Sequence, residues 1–436
     1  MRIAIIGAGI AGVTTAYELS AQGHQVTVFD RCGSVAAEGS FANAGIVAPA
    51  MILPWTAKPW PHLSLRHSLG WQWQRRRAAK ASNPAAQEQL LKLAQFSLDR
   101  LQTLRRSLQL DYERTEGLLM LLRTERERQQ IQPGLERLAQ MGLSATTLDA
   151  EQCRRIEPGL NPEQALLGGI YLPQAEIGNC RQFAHLLRME AQRLGAQFRF
   201  HTTVRSITPG SPAQLVHEYT PPEERPGPST RQGDSREPKD NIDTQPAPAG
   251  PQHENFDAIV VCAGVGAIPL LQPLGFKLPM VQLQGESLTA PLRQLEAHPD
   301  LGPRAGLVDQ TSGISISRIG QRVRLSISGH WNRSPSSAKD SHAAMHKVLN
   351  DWFPGAMQNG QLQQWRGTHA HVADGLPILG TSGHAGIWLN LALEPSNLLS
   401  WTLANGAANV LSHQISGNQA GPDLPEISDL TMGRLG

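Results

Sequence analysis

The chain has 436 residues, more than one small hydrophobic core accommodates, so two or three domains are expected. Charged residues make up 17 % and apolar ones 40 %, with a formal net charge of +2; this excludes the basic stripe of a nucleic-acid binder. The four cysteines (Cys32, Cys153, Cys180, Cys262) show neither CxxC nor metal-ligand spacing, so reduced thiols fit better than a disulfide framework and no metal site is expected.

Residues 2–6 are a short β-prone apolar run. The run breaks into Gly7-Ala8-Gly9-Ile10-Ala11-Gly12 and then into a helix-compatible stretch over 13–22. Gly23 stops that helix, and 25–29 reads as a second buried strand ending at Asp30. Strand, glycine-rich turn, helix, strand and acid follow in the order of a dinucleotide-binding βαβ unit. Gly7 permits the tight turn, Gly9 lets backbone approach a pyrophosphate, and Gly12 lets the helix pack on the sheet. The helix N-terminus supplies N–H groups and partial positive charge. Asp30 stands where a carboxylate accepts hydrogen bonds from a ribose 2′-OH and repels a 2′-phosphate. The apolar start imitates a signal peptide, but glycines interrupt it and cleavage would destroy the nucleotide unit. No run is long enough to span a bilayer, so a cytoplasmic protein is expected, soluble or attached at the inner face of the cell membrane.

From Gly39 to Gln87 there is no Asp or Glu, while Trp55, Trp60, Trp71 and Trp73 precede Arg75-Arg76-Arg77 and Lys80. Such a segment, 55–80, either lies on an anionic membrane surface or is a solvated basic loop whose tryptophans pack inward. Leucines at three- and four-residue spacing predict a helix over 87–109, followed by a buried strand at 117–122 and a helix over 125–141 ended by Gly142. Strand and loop follow at 168–178, an amphipathic helix at 181–194, and strands at 197–200 and 203–207. Residues 209–255 are crowded with Pro, Gly, Ser, Glu and Arg and nearly empty of large apolar side chains, so a disordered insertion into a β-hairpin is expected. A strong buried strand returns at 256–261. The second half offers a hairpin over 313–328 turning at Gly320-Gln321, a helix over 341–353, a strand at 386–390 and a last helix over 400–415. Parallel-type units at both ends with antiparallel strands between imply an α/β plus α+β protein: a discontinuous Rossmann-like domain with an inserted antiparallel-sheet domain.

Four further segments reinforce the nucleotide unit. Ser40-Phe41-Ala42-Asn43-Ala44-Gly45 offers small residues for close approach to a ligand, and 260–264 is a hydrophobic strand ending in Ala263-Gly264. Asp374-Gly375-Leu376-Pro377 sets an acid and a turn beside a strand, and Trp365-Arg366-Gly367 leads into it. Together these motifs resemble the FAD-dependent D-amino-acid oxidase superfamily, and within it the bacterial D-amino acid dehydrogenase small-subunit branch. The similarity spans nearly the whole chain apart from 209–255 and the last few residues.

The resemblance implies FAD as cofactor, bound by 1–75, 160–208, 256–275 and 365–436, with 76–159 and 276–364 forming the substrate domain. Its implied cofactor contacts are Gly7, Ala8, Gly9, Ile10, Ala11, Gly12, Asp30 and Arg31 at the adenosine end. Asn43, Ala44, Gly45, Ile46, Val204, Ala263, Gly264, Asp374, Gly375 and Pro377 complete the set. It further implies oxidation of an amino acid, a D-amino acid foremost, by hydride transfer from Cα to flavin N5. The imine hydrolyses to a 2-oxo acid and ammonia, and electrons pass to a membrane quinone or another acceptor; the protein positions the substrate. A nicotinamide enzyme shares the first motif but has no need of a C-terminal segment returning to the cofactor.

Three departures fall at the reacting end. Where the family carries arginine in a Gly-Leu-Arg-Pro run, this chain has Gly367-Thr368-His369-Ala370, and a neutral histidine does not reproduce a bidentate carboxylate pair. The family's Gly-His-Gly loop is replaced by 390–401, which contains Glu394, and the hairpin strand ends Ser328-Gly329-His330 instead of Gly-Gly. By position alone His369, Glu394 and His330 are the catalytic candidates. Either substrate recognition is supplied elsewhere, with Arg318, Arg333 and Arg366 as candidates, or a flavin-binding homologue has an altered substrate or lost catalysis. His342 and His346 stand four apart on a predicted helix but lack a third ligand, which favours a solvated face.

Overall fold

The computed structural model describes residues 1–52, 83–221, 250–294, 301–330, 335–358, 361–393, 400–418 and 424–435. The tryptophan-bearing basic stretch 55–80, Glu394 and Arg333 lie outside the described residues.

Strand β1 (Arg2–Ile6) is buried after its first residue and lies parallel to β2 (Gln25–Phe29), with Ile3 opposite Val26 and Ile5 opposite Val28. The crossover is α1 (Ile10–Ala21), which starts three residues earlier than the sequence reading because extended Gly9 serves as its N-cap. On the other side of β1 runs β11 (Ala258–Val261), then β18 (Ile387–Leu391), both parallel; β7 (Gln197–Arg199) is parallel to β2. An antiparallel edge strand, β17 (Ile378–Thr381), completes the order β17-β18-β11-β1-β2-β7. Chain segments nearly four hundred residues apart thus build one sheet, the discontinuous Rossmann-like unit.

Among the described residues the second sheet has nine strands: β3 (Ile46–Val47), β4 (Thr115–Leu122), β5 (Thr146–Asp149), β6 (Gly168–Ile177), β12 (Met280–Pro291), β13 (Gly306–Asp309), β14 (Ile314–Ile319), β15 (Arg322–His330) and β16 (Gln363–Val372). They run β16-β12-β15-β14-β13-β4-β6-β3 with β5 on β6, antiparallel except for β13 against β4. The sequence boundaries put 160–208 and 365–436 wholly in the dinucleotide unit. Instead β6 pairs with β4, and β16 pairs with β12 along its length, so both belong to the antiparallel sheet. Strand pattern alone does not say which sheet a strand joins.

A third sheet, β8 (Thr202–Thr208), β9 (Ala213–Tyr219) and β10 (Gln252–Phe256), corrects the insertion. The stretch expected to be disordered, 209–255, begins and ends as paired strands, with Ala213 opposite Phe256 and His217 opposite Gln252. Alternation of Ala213, Leu215 and His217 inward supplies the buried face that average composition concealed. Residues 222–249 lie outside the described residues.

Helices α2 (Pro84–Leu108), α3 (Glu125–Gln140), α4 (Ala150–Ile156), α5 (Cys180–Arg193), α6 (Ala267–Leu271), α7 (Pro335–Trp352) and α8 (Ser400–Ile415) cover the sheets. The largest core joins α1, α2, α5 and α8; α8 is buried on nearly every side, with Thr402, Asn405, Asn409 and Ser412 buried among its apolar residues. At its crossing with α2, a Cβ on Gly406 would stand 2.8 Å from the Ser97 Cβ, and the Gly406 N–H donates to Ser97 Oγ at 2.9 Å.

One charge is sealed in this helical layer. Glu18 of α1, 2 % exposed, accepts from Arg100 Nε at 2.8 Å and Nη2 at 2.9 Å, and from Asn409 Nδ2 at 2.8 Å. Removing the cation leaves a carboxylate in an apolar layer with one neutral donor. Arg100→Ala is therefore expected to lower unfolding free energy by about 3–5 kcal/mol. Urea denaturation measures this, and a loss below about 1 kcal/mol contradicts the role assigned to the pair.

Candidate functional site

The carboxyl ends of β1, β2 and β11 open onto a cleft of about 340 Å³, the usual ligand position in an open α/β sheet. Its floor has no room for side chains. Gly7 has φ +104° and a Cβ there would sit 2.7 Å from the Cys262 carbonyl oxygen; a Cβ on Gly12 would sit 1.8 Å from the Gly7 carbonyl oxygen. Gly9 caps α1 without a side-chain hydrogen bond, and the first turn holds no acid. The Ile10 N–H donates to Ser40 Oγ at 3.1 Å, which draws the loop after β2 across the helix N-terminus. That end of α1 therefore presents backbone N–H groups and uncompensated positive dipole to the cleft, a fit for phosphate.

Asp30 lines the same cleft. Its Oδ2 accepts from the Ala8 N–H and its Oδ1 from the Cys32 N–H, both at 2.6 Å. Burial pushes this carboxyl above its ordinary value, while the two backbone bonds pull the other way. Each oxygen keeps a lone pair, so the group can still accept from a sugar hydroxyl. Arg31 Nη2 reaches Glu38 Oε1 at 2.5 Å, and both residues line the cleft. Burial raises the Cys262 thiol to about 12, which keeps it neutral at the floor.

Of the residues expected to hold a cofactor, Gly7, Gly9, Ile10, Ala11, Asp30, Arg31, Val204, Ala263 and Gly264 line the cleft. Ala8 and Gly12 lie just behind its surface, through the contacts given above. Asn43, Ala44, Gly45 and Ile46 are not in the lining. They form the strap between the two sheets: Gly45 exchanges backbone contact with Gly178 (Gly178 N–H to Gly45 O, 2.8 Å), and Ile46 pairs with Ile177. Nor do Asp374, Gly375 and Pro377 line the cleft. The Asp374 carboxylate is taken by Arg434 Nε at 2.8 Å and by the Leu376 N–H at 2.9 Å, so it pins the C-terminal segment. Ser40, the first residue of the small-residue segment after β2, also lines the cleft, as do Gly39, Thr202 and Asn390, which the sequence reading did not name as cofactor contacts.

The cleft ends against β16. Thr368, His369 and Ala370 form that wall, and a Cβ on Gly39 would stand 3.0 Å from the Thr368 carbonyl oxygen. The His369 ring lies 5.9 Å from the Trp365 ring at 68°, and Trp365 folds flat over Gly367, where a Cβ would be 1.9 Å from its Cζ2. His330 ends β15 opposite Gln284, and Glu394 lies outside the described residues. Of the alternative cations, Arg318 donates to the Gly320 and Pro303 carbonyls and to Gln321, and Arg366 pairs with Glu286 at 3.5 Å and with Gln284. Arg366 alternates with Trp365 and Gly367 along the strand, which sets it on the face away from His369. Among the described residues no group of three potential metal ligands assembles, and His342, its basicity lowered by burial, faces Glu286 from α7.

The model of a family described as FAD dependent oxidoreductase matches residues 2–414. A protein of Cereibacter sphaeroides named D-amino acid dehydrogenase is 31 % identical, the match covering 99 % of this chain and 94 % of that one. Two solved structures share the fold. A glycine oxidase from Geobacillus kaustophilus has TM-score 0.68 at 18 % identity, covering 99 % and 98 %. An L-amino acid deaminase from Proteus myxofaciens, solved with anthranilate, has TM-score 0.70 at 13 % identity, covering 100 % and 93 %.

Gly12→Ala drives a methyl into the Gly7 carbonyl, so the purified variant is expected to retain less than about a tenth of the wild-type flavin. Asp30→Asn keeps the shape but loses the charge, and an FAD affinity about ten-fold weaker is expected by equilibrium titration of the apoprotein. Undiminished flavin content in Gly12→Ala contradicts the geometry of the floor.

Proposed function

The chain belongs to the FAD-dependent oxidoreductase family, and from that premise we propose that it oxidises an amino acid at the carbon bearing the amine, with D-amino acids preferred. The observation that carries this reading is the course of the cleft. It starts at Asp30, passes the uncapped end of α1, and stops at His369 on a strand of the second sheet. A dinucleotide laid along it has its adenosine end in the parallel sheet and its far end at the junction, against a second sheet able to hold a substrate. When bound there, FAD supplies the two-electron acceptor for the hydride leaving the substrate Cα, and the imine so formed hydrolyses to a 2-oxo acid and ammonia.

The chain's residues divide the remaining work. With FAD bound, Asp30 would hold the ribose hydroxyls, the α1 N-terminus would hold the pyrophosphate, and Ala263 with Gly264 would let the cofactor pass without side-chain bulk. Ser40 closes the loop over α1, and the strap Asn43–Ile46 that follows ties that loop to the second sheet through Gly178 and Ile177. No general base is required if the substrate amine arrives unprotonated. The preference for D-amino acids is supported by the name of the 31 %-identical relative. A quinone acceptor is our further reading, in keeping with the basic, tryptophan-bearing character of 55–80.

Mixing the FAD-loaded protein anaerobically with a panel of D-amino acids is expected to bleach the visible flavin absorbance, and the L-enantiomers are expected to do so at least about ten-fold more slowly. A water-soluble quinone should then restore the oxidised spectrum faster than air. A bound flavin that no amino acid reduces overturns the reading.

A further inference from the structure

The carboxyl ends of the parallel strands meet the cleft in the order β2, β1, β11, β18, and each offers a different kind of surface. Asp30 follows β2, the glycine turn and the N-terminus of α1 follow β1, and Cys262 with Ala263 follows β11. Asn390, near the end of β18, closes the series. Val261 pairs with Leu389, so Asn390 stands level with Cys262 at the floor.

Asn390 is 1 % exposed, lines the cleft, and its Oδ1 has no hydrogen-bond partner among the described residues. The amide nitrogen is satisfied, since Nδ2 donates to Thr15 Oγ1 of α1 at 3.0 Å. That bond fixes which way the amide points. The Thr15 hydroxyl proton is committed to the Ala11 carbonyl, 2.7 Å away, and Cys262 Sγ approaches the same hydroxyl oxygen at 4.0 Å. Thr15 Oγ1 is therefore an acceptor toward Asn390, so the nitrogen faces it and Oδ1 turns away. A buried acceptor left without a donor is costly, and the position calls for a donor from the cleft. A pyrophosphate at the end of α1 cannot supply one, because its ionised oxygens only accept.

The order of the strands says what can. With the adenosine ribose at β2 and the pyrophosphate at α1, the part of FAD that crosses β11 and β18 is the ribityl chain, whose carbons bear hydroxyl groups. We propose that Asn390 Oδ1 accepts a hydrogen bond from one ribityl hydroxyl, which makes Asn390 a positioning and specificity residue for the flavin half of the cofactor. Ala263, Ala392 and Leu393 beside it in the lining offer no polar side chain. The same helix thus fixes both ends of this stretch: its N-terminus faces the pyrophosphate, and Thr15 holds the Asn390 amide. A ribityl chain pinned at this point sets how far the ring reaches toward Thr368, His369 and Ala370 of β16. The inference rests on FAD as the cofactor and not on which amino acid is oxidised.

The test exchanges the cofactor of the FAD-loaded full chain, without substrate, against FAD analogues lacking the 2′-, 3′- or 4′-hydroxyl of the ribityl chain. Bound flavin is extracted and resolved by chromatography, which gives the affinity of each analogue relative to FAD. In the wild type one analogue is expected to bind about ten- to hundred-fold more weakly than FAD, because Oδ1 is then left unpaired. Asn390→Leu fills the space without an acceptor and should bring that ratio to within about three-fold; Asn390→Val replaces it should Asn390→Leu retain no flavin. Asn390→Asp keeps an acceptor and should preserve the ratio whatever its overall loss of flavin. A merely structural role would weaken FAD and every analogue together and leave the ratios unchanged. Wild-type ratios within about three-fold for every analogue assign the acceptor to a water molecule and overturn the proposal, as does discrimination that survives in Asn390→Leu or Asn390→Val. Reduction by amino acids is read separately: a flavin that no amino acid bleaches leaves these ratios standing, and absent ratios leave the oxidation reading standing.

Discussion

Everything in this protein is arranged around a place where three backbone segments approach too closely for any side chain. The Gly7 carbonyl meets Gly12, and Gly7 in turn meets the Cys262 carbonyl, at separations that a single added methyl group would close. That contact fixes the pitch of α1 on the sheet and aims its N-terminal N–H groups at the ends of β1 and β11. It also forces the chain to bring residues 258–264 back beside residues 2–7, so the inserted second sheet begins and ends at the same junction. The apolar crossing of α8 over α1 and α2, with Glu18 neutralised by Arg100, holds that arrangement from behind.

The strap over 39–47 transmits the constraint to the second sheet. Its first part closes on α1 through Ser40 and presses on β16 at Gly39; its last part is hydrogen-bonded to β6, β14 and Arg324 of β15. One loop thus sets the spacing between the dinucleotide cleft and the second sheet. That spacing is held by the Ser40 hydroxyl at one end of the loop and by hydrogen bonds to the Asn43 and Ala44 carbonyls at the other.

How much of this was legible in the sequence follows from how local each signal is. The βαβ unit at residues 2–30 was readable because strand period, turn glycines, helix and acid are contiguous, and only the start of α1 was displaced by its glycine cap. Assignment of β6 and β16 to a sheet was not readable, since their pairing partners lie as far away as Ile46 from Ile177 and Met280 from Val372, and alternation looks the same in either sheet. The strands at the edges of 209–255 were hidden by averaging over a window dominated by Pro and Gly. Asp374 carried the right motif, yet its charge is consumed by Arg434, a contact across sixty residues. Asn390 gave no signal as a cofactor contact: within Trp388-Leu389-Asn390 it reads as the end of a buried strand, and only Thr15, 375 residues away, fixes its amide.

A crystal structure of the FAD-loaded protein tests the central claim most directly. The account predicts adenosine ribose oxygens within hydrogen-bond distance of Asp30, the pyrophosphate at the N-terminus of α1, and the isoalloxazine ring at the end of the cleft against Thr368, His369 and Ala370 of β16. A ring lying outside the junction, or a cofactor running in the opposite direction along the cleft, would contradict it.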